Sequence, residues 1–104
     1  MNKQTVNSTG VKLIAKERAR QIAEEECTDE NDDRLVNSEL VQAASAYQIF
    51  SPNEYCAHAA QTIWPWSGKS WKPSNDPIRN LVKAGALIAA EIDRLNRAKA
   101  KGTK

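Results

Sequence analysis

Histidine occurs once in this sequence, at His58, and cysteine twice, at Cys27 and Cys56. Centres built from clustered histidine and cysteine are thereby excluded, because structural zinc wants four such ligands at short spacings. No nucleophile–base pair stands out either, since His58 has no partner in its own neighbourhood. The two cysteines match no disulfide framework, and with no export signal in view they read as reduced thiols. Apolar runs are short, far below the eighteen or so residues of a membrane span. Met1 to Gly10 is polar and lacks the hydrophobic centre of a signal peptide. The expectation is a cytoplasmic protein with no membrane partner.

What the chain does have is alternating apolar and charged residues at helical spacing. Its 104 residues allow one domain with a modest core. Asp76 and Pro77 form a start signal, a capping carboxylate followed by the proline that suits a first helical position. Ile78, Leu81, Val82, Gly85, Ile88, Ala89, Ile92 and Leu95 then recur at steps of three and four, the stripe of one helix face. Gly102 marks the exit after a basic last turn. A glycine inside a helix costs about 1 kcal/mol relative to alanine, so Gly85 implies the close approach of another helix. A second helix, from Asn37 or Ser38 to Ile49, is rich in alanine and is the expected neighbour.

Ahead of these, Ser8 or Thr9 can cap a first helix over Gly10–Glu26, with Val11, Ile14, Ala15, Ala19 and Ile22 on its apolar side. Ser51-Pro52 stops the second helix, and Glu54–Thr62 suits a short one. The expected architecture is all-α: a small three- to four-helix domain with a long C-terminal helix and an irregular Trp/Pro-rich loop. The division is a flexible N-terminus over 1–8, a helical domain over 9–98 and a basic tail over 99–104. Small size and an alanine-rich seam also predict a homo-oligomer.

Charge is unevenly placed. Glu24 to Asp33 carries seven acids and no base, whereas Lys69 to Lys104 carries nine bases against three acids. Such asymmetry suits head-to-tail association, an anionic partner or simply solvated faces. Asp29-Glu30-Asn31-Asp32-Asp33 imitates the start of a calcium loop, but Arg34 stands where glycine should turn it and Leu40 where glutamate should close it. A solvated acidic loop is the simpler reading. If the run holds a metal, Asp32, Asp33 and Glu39 are the candidate ligands.

All three tryptophans fall within Trp64-Pro65-Trp66-Ser67-Gly68-Lys69-Ser70-Trp71-Lys72-Pro73. The prolines rule out a regular helix there. Trp66, Lys69, Trp71 and Lys72 form a candidate aromatic and cationic binding surface, with a lid over a small core as the alternative. Trp64, beside Ile63, is expected mainly in the core, and Trp71, between Ser70 and Lys72, mainly on the surface. Gly68-Lys69-Ser70 is a poor phosphate loop, lacking the earlier glycine and the flanking strand.

Glu17-Arg18-Ala19-Arg20-Gln21, Asp32-Asp33, Glu39-Leu40, Ala43-Ala44 and Tyr47 form one half of a recognisable pattern. Trp64-Pro65-Trp66, Trp71-Lys72-Pro73, Leu81-Val82-Lys83-Ala84-Gly85-Ala86-Leu87-Ile88 and Glu91-Ile92 form the other. Together, over about residues 13 to 98, they resemble a family of small accessory proteins of tailed bacteriophages and prophages. The resemblance implies a protein made in a bacterial host cell, where such proteins adjust host metabolism or block host defences. It implies no catalytic residue and no cofactor. The leading expectation is a non-enzymatic binding protein whose partner is a host defence protein or a small nucleotide signal, with nucleic acid not the primary partner.

Two alternatives stand beside it. A structural or assembly protein is one. The other is a magnesium-dependent nucleotide pyrophosphohydrolase similar to the all-helical MazG-like enzymes, with Glu17, Glu24, Glu25, Asp32, Asp33 and Glu39 as candidate ligands. Those enzymes also use a Glu-x-x-Asp pair. Here Glu91 and Asp93 are one residue too close, about 200° apart around the helix, and Asn80 stands where an acid would have helped.

Overall fold

A computed structural model describes residues 9–50 and 54–102. They form five helices: α1 (Thr9–Glu24), α2 (Asp29–Asp32), α3 (Glu39–Ile49), α4 (Glu54–Ile63) and α5 (Pro77–Ala100), with one 3-10 turn at Gly68–Ser70. There is no strand among the described residues. The flexible stretch expected over 1–8, the Ser51-Pro52 stop and the last two residues of the tail lie outside them. Overall extents of 44 × 41 × 25 Å make a flat molecule, about two helices thick.

The start of α5 is as the sequence predicts. Asp76 Oδ1 accepts from the Ile78 amide at 2.9 Å, and Pro77 fills the first helical position. At the far end Gly102 takes φ +80°, where glycine carries no Cβ penalty.

The long helix is the spine. α3 and α1 both pack along it, α4 packs on α3, and α2 touches its C-terminal end. The core is Leu40, Ala43, Ala44 and Tyr47 of α3 against Ala84, Leu87 and Ala90 of α5, with Leu35, Trp64 and Trp71 packed around it. Small side chains bring the two backbones together, as the alanine-rich composition of α3 predicts.

The orientation of α1 and α5 differs from the sequence expectation. Ile78, Leu81, Ile88, Ile92 and Leu95 are 40–62% exposed, and Val11 and Ile22 of α1 are 57% and 42% exposed. What α1 buries is Glu17 and Gln21; what α5 buries includes Asn80 and Glu91. Both helices thus bury polar residues while leaving much of their aliphatic stripes outside; Val82, Ala84, Ala86, Leu87 and Ala90 are the apolar residues that α5 buries. The inward groups of α5 are tolerated because they are paired: Arg94 donates to both Glu91 oxygens at 2.8 Å, and Asn80 bonds both polar atoms of its amide to the Ser74 backbone. Asn80 therefore anchors the segment that follows the tryptophans to α5.

Gly85 does meet another helix, but it is α1 rather than α3. A Cβ at Gly85 would lie 2.6 Å from Ile14 Cδ1 and 2.9 Å from its Cγ1. Gly85→Leu should therefore destabilise by overpacking, by about 1–3 kcal/mol, despite leucine's better helix propensity. A rise in denaturation midpoint for this variant would contradict the contact.

The acidic run is not a plain loop. Thr28 Oγ1 caps α2 by accepting from the Asn31 amide at 3.2 Å, and the chain turns into it through Glu26 at φ +58°. Its charge is answered inside the chain. Arg97 reaches Asp33 at 2.8 Å and Asp29 at 3.1 Å, with Lys101 3.8 Å from Asp33. The hydrogen bonds from Arg97 hold the Asp33 carboxyl below the usual range. The polarity of the sequence is thus met by folding the basic end of α5 onto the acidic segment.

Candidate functional site

A pocket of about 630 Å³ opens between α1, α2, α3 and α5 under the tryptophan segment. That volume lies in the ordinary range for small-molecule sites. Its floor is Leu35, Leu40 and Leu87, and its aromatic wall is Tyr47, Trp64 and Trp66. Cations come from α1 (Arg20), α5 (Arg79, Lys83) and the tryptophan segment (Lys72); acids come from α1 (Glu17), the connection after it (Glu25, Glu26) and the last residue of α2 (Asp32).

The aromatic wall is tightly nested. Tyr47 meets Trp64 edge-on at 5.4 Å between centroids and Trp71 at 4.9 Å; Trp71 also meets Trp64 at 4.9 Å and Phe50 at 6.1 Å. Trp64 donates its indole N–H to Ser70 Oγ at 3.1 Å and Ser67 O at 3.2 Å, which holds the segment closed on itself. Edge-to-face and tilted pairs at these distances are favourable beyond their buried area. The expected division, Trp64 inside and Trp71 outside, is therefore corrected: both pack against the core. Trp66 is the most open of the three at 37% exposure. Proline at 65 and 73 bends the chain back, which returns Trp71 to the cluster although its neighbours Ser70 and Lys72 are polar.

Glu17 is the electrostatic centre. It is 3% exposed, and Arg20 grips it with two hydrogen bonds of 2.9 and 2.7 Å. Arg79 approaches its other face at 2.8 Å, and Gln21 Nε2 donates to it at 3.2 Å. Burial alone would raise its pKa, but the hydrogen bonds and charges of Arg20 and Arg79 outweigh it and hold the carboxyl at about 2.

Lys83 is the contrasting group. Its ammonium donates to the Lys72 carbonyl at 3.0 Å and stands 5.3 Å over the Tyr47 ring. Among the described residues it forms no ion pair. Burial first, and the charge of Arg79 second, push its pKa down. Lys72 likewise has no ion pair among the described residues. Asp32 is 1% exposed with Arg18 3.7 Å away, and burial raises its pKa. Burial, together with the charges of Asp32 and Glu25, also pushes the Cys27 thiol up to about 11, so it is a poor nucleophile at neutral pH.

The sequence candidates divide accordingly. Trp66, Lys72 and Asp32 line the pocket; Trp71 supports it from behind; Lys69 lies exposed in the 3-10 turn; Asp33 pairs with Arg97. Glu39, at the start of α3, accepts from the Asn37 amide at 2.8 Å. Among the described residues, no group of three or more His, Cys, Asp or Glu is placed to hold a metal ion. His58 is exposed on α4. Missed by the sequence reading as site residues were Gln21, Tyr47, Arg79 and Lys83. Tyr47 and Lys83 stand in the quoted motifs, but nothing in their spacing says that α3 and α5 bring them together.

No helix among the described residues is long and apolar enough to cross a membrane. Comparison with family models, curated proteins and solved structures finds no match.

Proposed function

We propose that this is a non-enzymatic binding protein of the phage accessory kind, acting inside a bacterial host cell by sequestering a small anionic, aromatic metabolite of the nucleotide class. The observation that carries the reading is Lys83: a half-buried ammonium that forms no ion pair among the described residues, held by the Lys72 carbonyl, set over an aromatic ring and lining a pocket. A desolvated cation of this kind favours an anion. Arg79 and Lys72 flank it, and the exposed edge of Trp66 offers a surface for a base to stack on.

The pyrophosphohydrolase alternative draws on Glu17, Glu25 and Asp32 lining one pocket. Hard cations need free carboxylate oxygens, and both Glu17 oxygens and Glu25 Oε2 are taken by arginines. The binding reading is the better supported.

Calorimetry with nucleoside monophosphates, diphosphates and triphosphates tests it. Saturable binding without turnover is expected, and Lys83→Gln should weaken it at least ten-fold while leaving the fold intact. Binding unaffected by Lys83→Gln, or release of pyrophosphate from a triphosphate, would overturn the reading.

The aliphatic stripe of α5 supports the expected homo-oligomer. Ile78, Leu81, Ile88, Ile92 and Leu95 lie within an arc of about 100°, and between Ile78 and Leu95 no charged residue falls inside it; Lys99 follows on the same face one turn later. An antiparallel second copy centred on Ile88 sets Leu81 against Leu95 with no like charges in contact. Light scattering should give a dimer that Ile88→Asp converts to monomer; a monomeric parent at high concentration would refute the pairing.

A further inference from the structure

Of the described lysines, Lys12, Lys16, Lys69, Lys72, Lys99 and Lys101 are exposed, and Lys83 alone is partly buried. It shares its pocket with the apolar side chains of Leu40 and Leu87 and with the aromatic wall. Its nitrogen is held in place, because it donates to the Lys72 carbonyl at 3.0 Å. A carbonyl accepts from an ammonium or from a neutral amine alike, so this bond does not require the charge. The other contact is the Tyr47 ring, 5.3 Å to its centroid.

The groups around the nitrogen pull in both directions. Burial and the charges of Arg79 and Arg20 oppose the ammonium, whereas Glu17, Glu25 and the face of Tyr47 favour it. Burial is the largest of these, and the balance falls below the ordinary lysine pKa. Arg79 stands four residues earlier, on the same face of α5, and like charges at that spacing repel. A desolvated lysine beside a second cation is the kind that adds to carbonyl groups, which a fully solvated ammonium does not.

We infer that Lys83 captures anionic aromatic aldehydes covalently, as an imine formed within the pocket. Capture rests on the binding reading above for a pocket that accepts an aromatic anion, and adds a bond to it. The neutral nitrogen gives its lone pair to the aldehyde carbon, and the carbonyl π electrons move to oxygen. A proton passes from nitrogen to oxygen, leaving a carbinolamine. That species loses its hydroxyl and its remaining N–H proton together as water, and the C=N bond is left. Nothing is oxidised or reduced. Lys72 and Arg79 line the same pocket for the ligand's anionic group, and Trp66 offers its ring a surface.

The probe is pyridoxal phosphate, an aromatic ring that carries both an aldehyde and a phosphate. Pyridoxine phosphate, with an alcohol in place of the aldehyde, is the control. The full chain is treated with substoichiometric probe, reduced with borohydride and mapped by peptide mass spectrometry. Lys83 should carry about ten-fold more label than exposed Lys69, or better, and the control should leave none. Lys83→Arg keeps the cation but cannot form the imine. It should therefore lose the dominant label while binding GMP, read by calorimetry, with an affinity close to the parent's. Label spread evenly over Lys83, Lys69 and Lys99 overturns the inference, and GMP binding then leaves the nucleotide reading standing. Label at Lys83 without GMP binding supports capture and overturns the nucleotide as ligand. Absence of both overturns both. Should Lys83→Arg fail to fold, the ratio of Lys83 to Lys69 label in the parent still decides.

Discussion

Trp71→Ala is expected to lose about 3–5 kcal/mol of stability, the usual cost of deleting a packed indole. In a domain of this size that is a fall of roughly 12 °C or more in melting temperature. The reason is position in the aromatic nest: its ring lies 4.9 Å from both Tyr47 and Trp64 and 6.1 Å from Phe50. Removing it leaves a hole between α3 and the tryptophan segment that backbone anchored through Asn80 cannot readily close. Trp66→Ala should behave differently. Its indole is the most open, and its one close aromatic contact is edge-on to Trp64 at 5.2 Å. That variant should melt near the parent and lose ligand affinity instead. Urea denaturation of both, beside binding, checks the division; a stable Trp71→Ala would contradict it.

Acid should unfold the protein early, and Glu17 should be the cause. Its folded pKa of about 2 lies below the ordinary 4.5, so the unfolded chain takes up the proton first. The stabilisation is fully present above pH about 4.5 and is lost as pH falls toward 2. A gap of that size corresponds to about 3 kcal/mol at neutral pH. Glu17→Gln should therefore cost about that much at pH 7 and flatten the stability curve between pH 5 and 2. An unchanged slope in that window would mean that the Arg20 and Arg79 contacts do not stabilise the fold.

The longer helices and their start and stop signals were legible because they depend on local chemistry; the short α2 inside the acidic run was not. Asp76-Pro77 starts α5 and Gly102 ends it, whatever surrounds them. Facing was not legible. The aliphatic stripes of α1 and α5 are the natural buried faces by periodicity, yet only Val82 and the Ile14–Gly85 contact are turned inward, while Ile22, Leu81, Ile88, Ile92 and Leu95 are outside and Glu17, Gln21 and Asn80 are inside. Periodicity assumes that polar groups seek water; here they seek one another, through pairings that join positions as distant as Glu17 and Arg79. The tryptophan segment was legible as a special feature, and Trp66 and Lys72 do line the pocket. Its other half could not be read, because Tyr47 and Lys83 meet only after α3 packs on α5.

The most direct test of the account is to map ligand-induced chemical shifts on the isotope-labelled protein with GMP at millimolar concentration. Saturating shifts at the Trp66 indole, Tyr47 and Lys83, with little change along Leu81, Ile88 and Leu95, are the predicted result. Shifts confined to the outer stripe of α5, or none at all, would contradict a ligand pocket between α1 and α5.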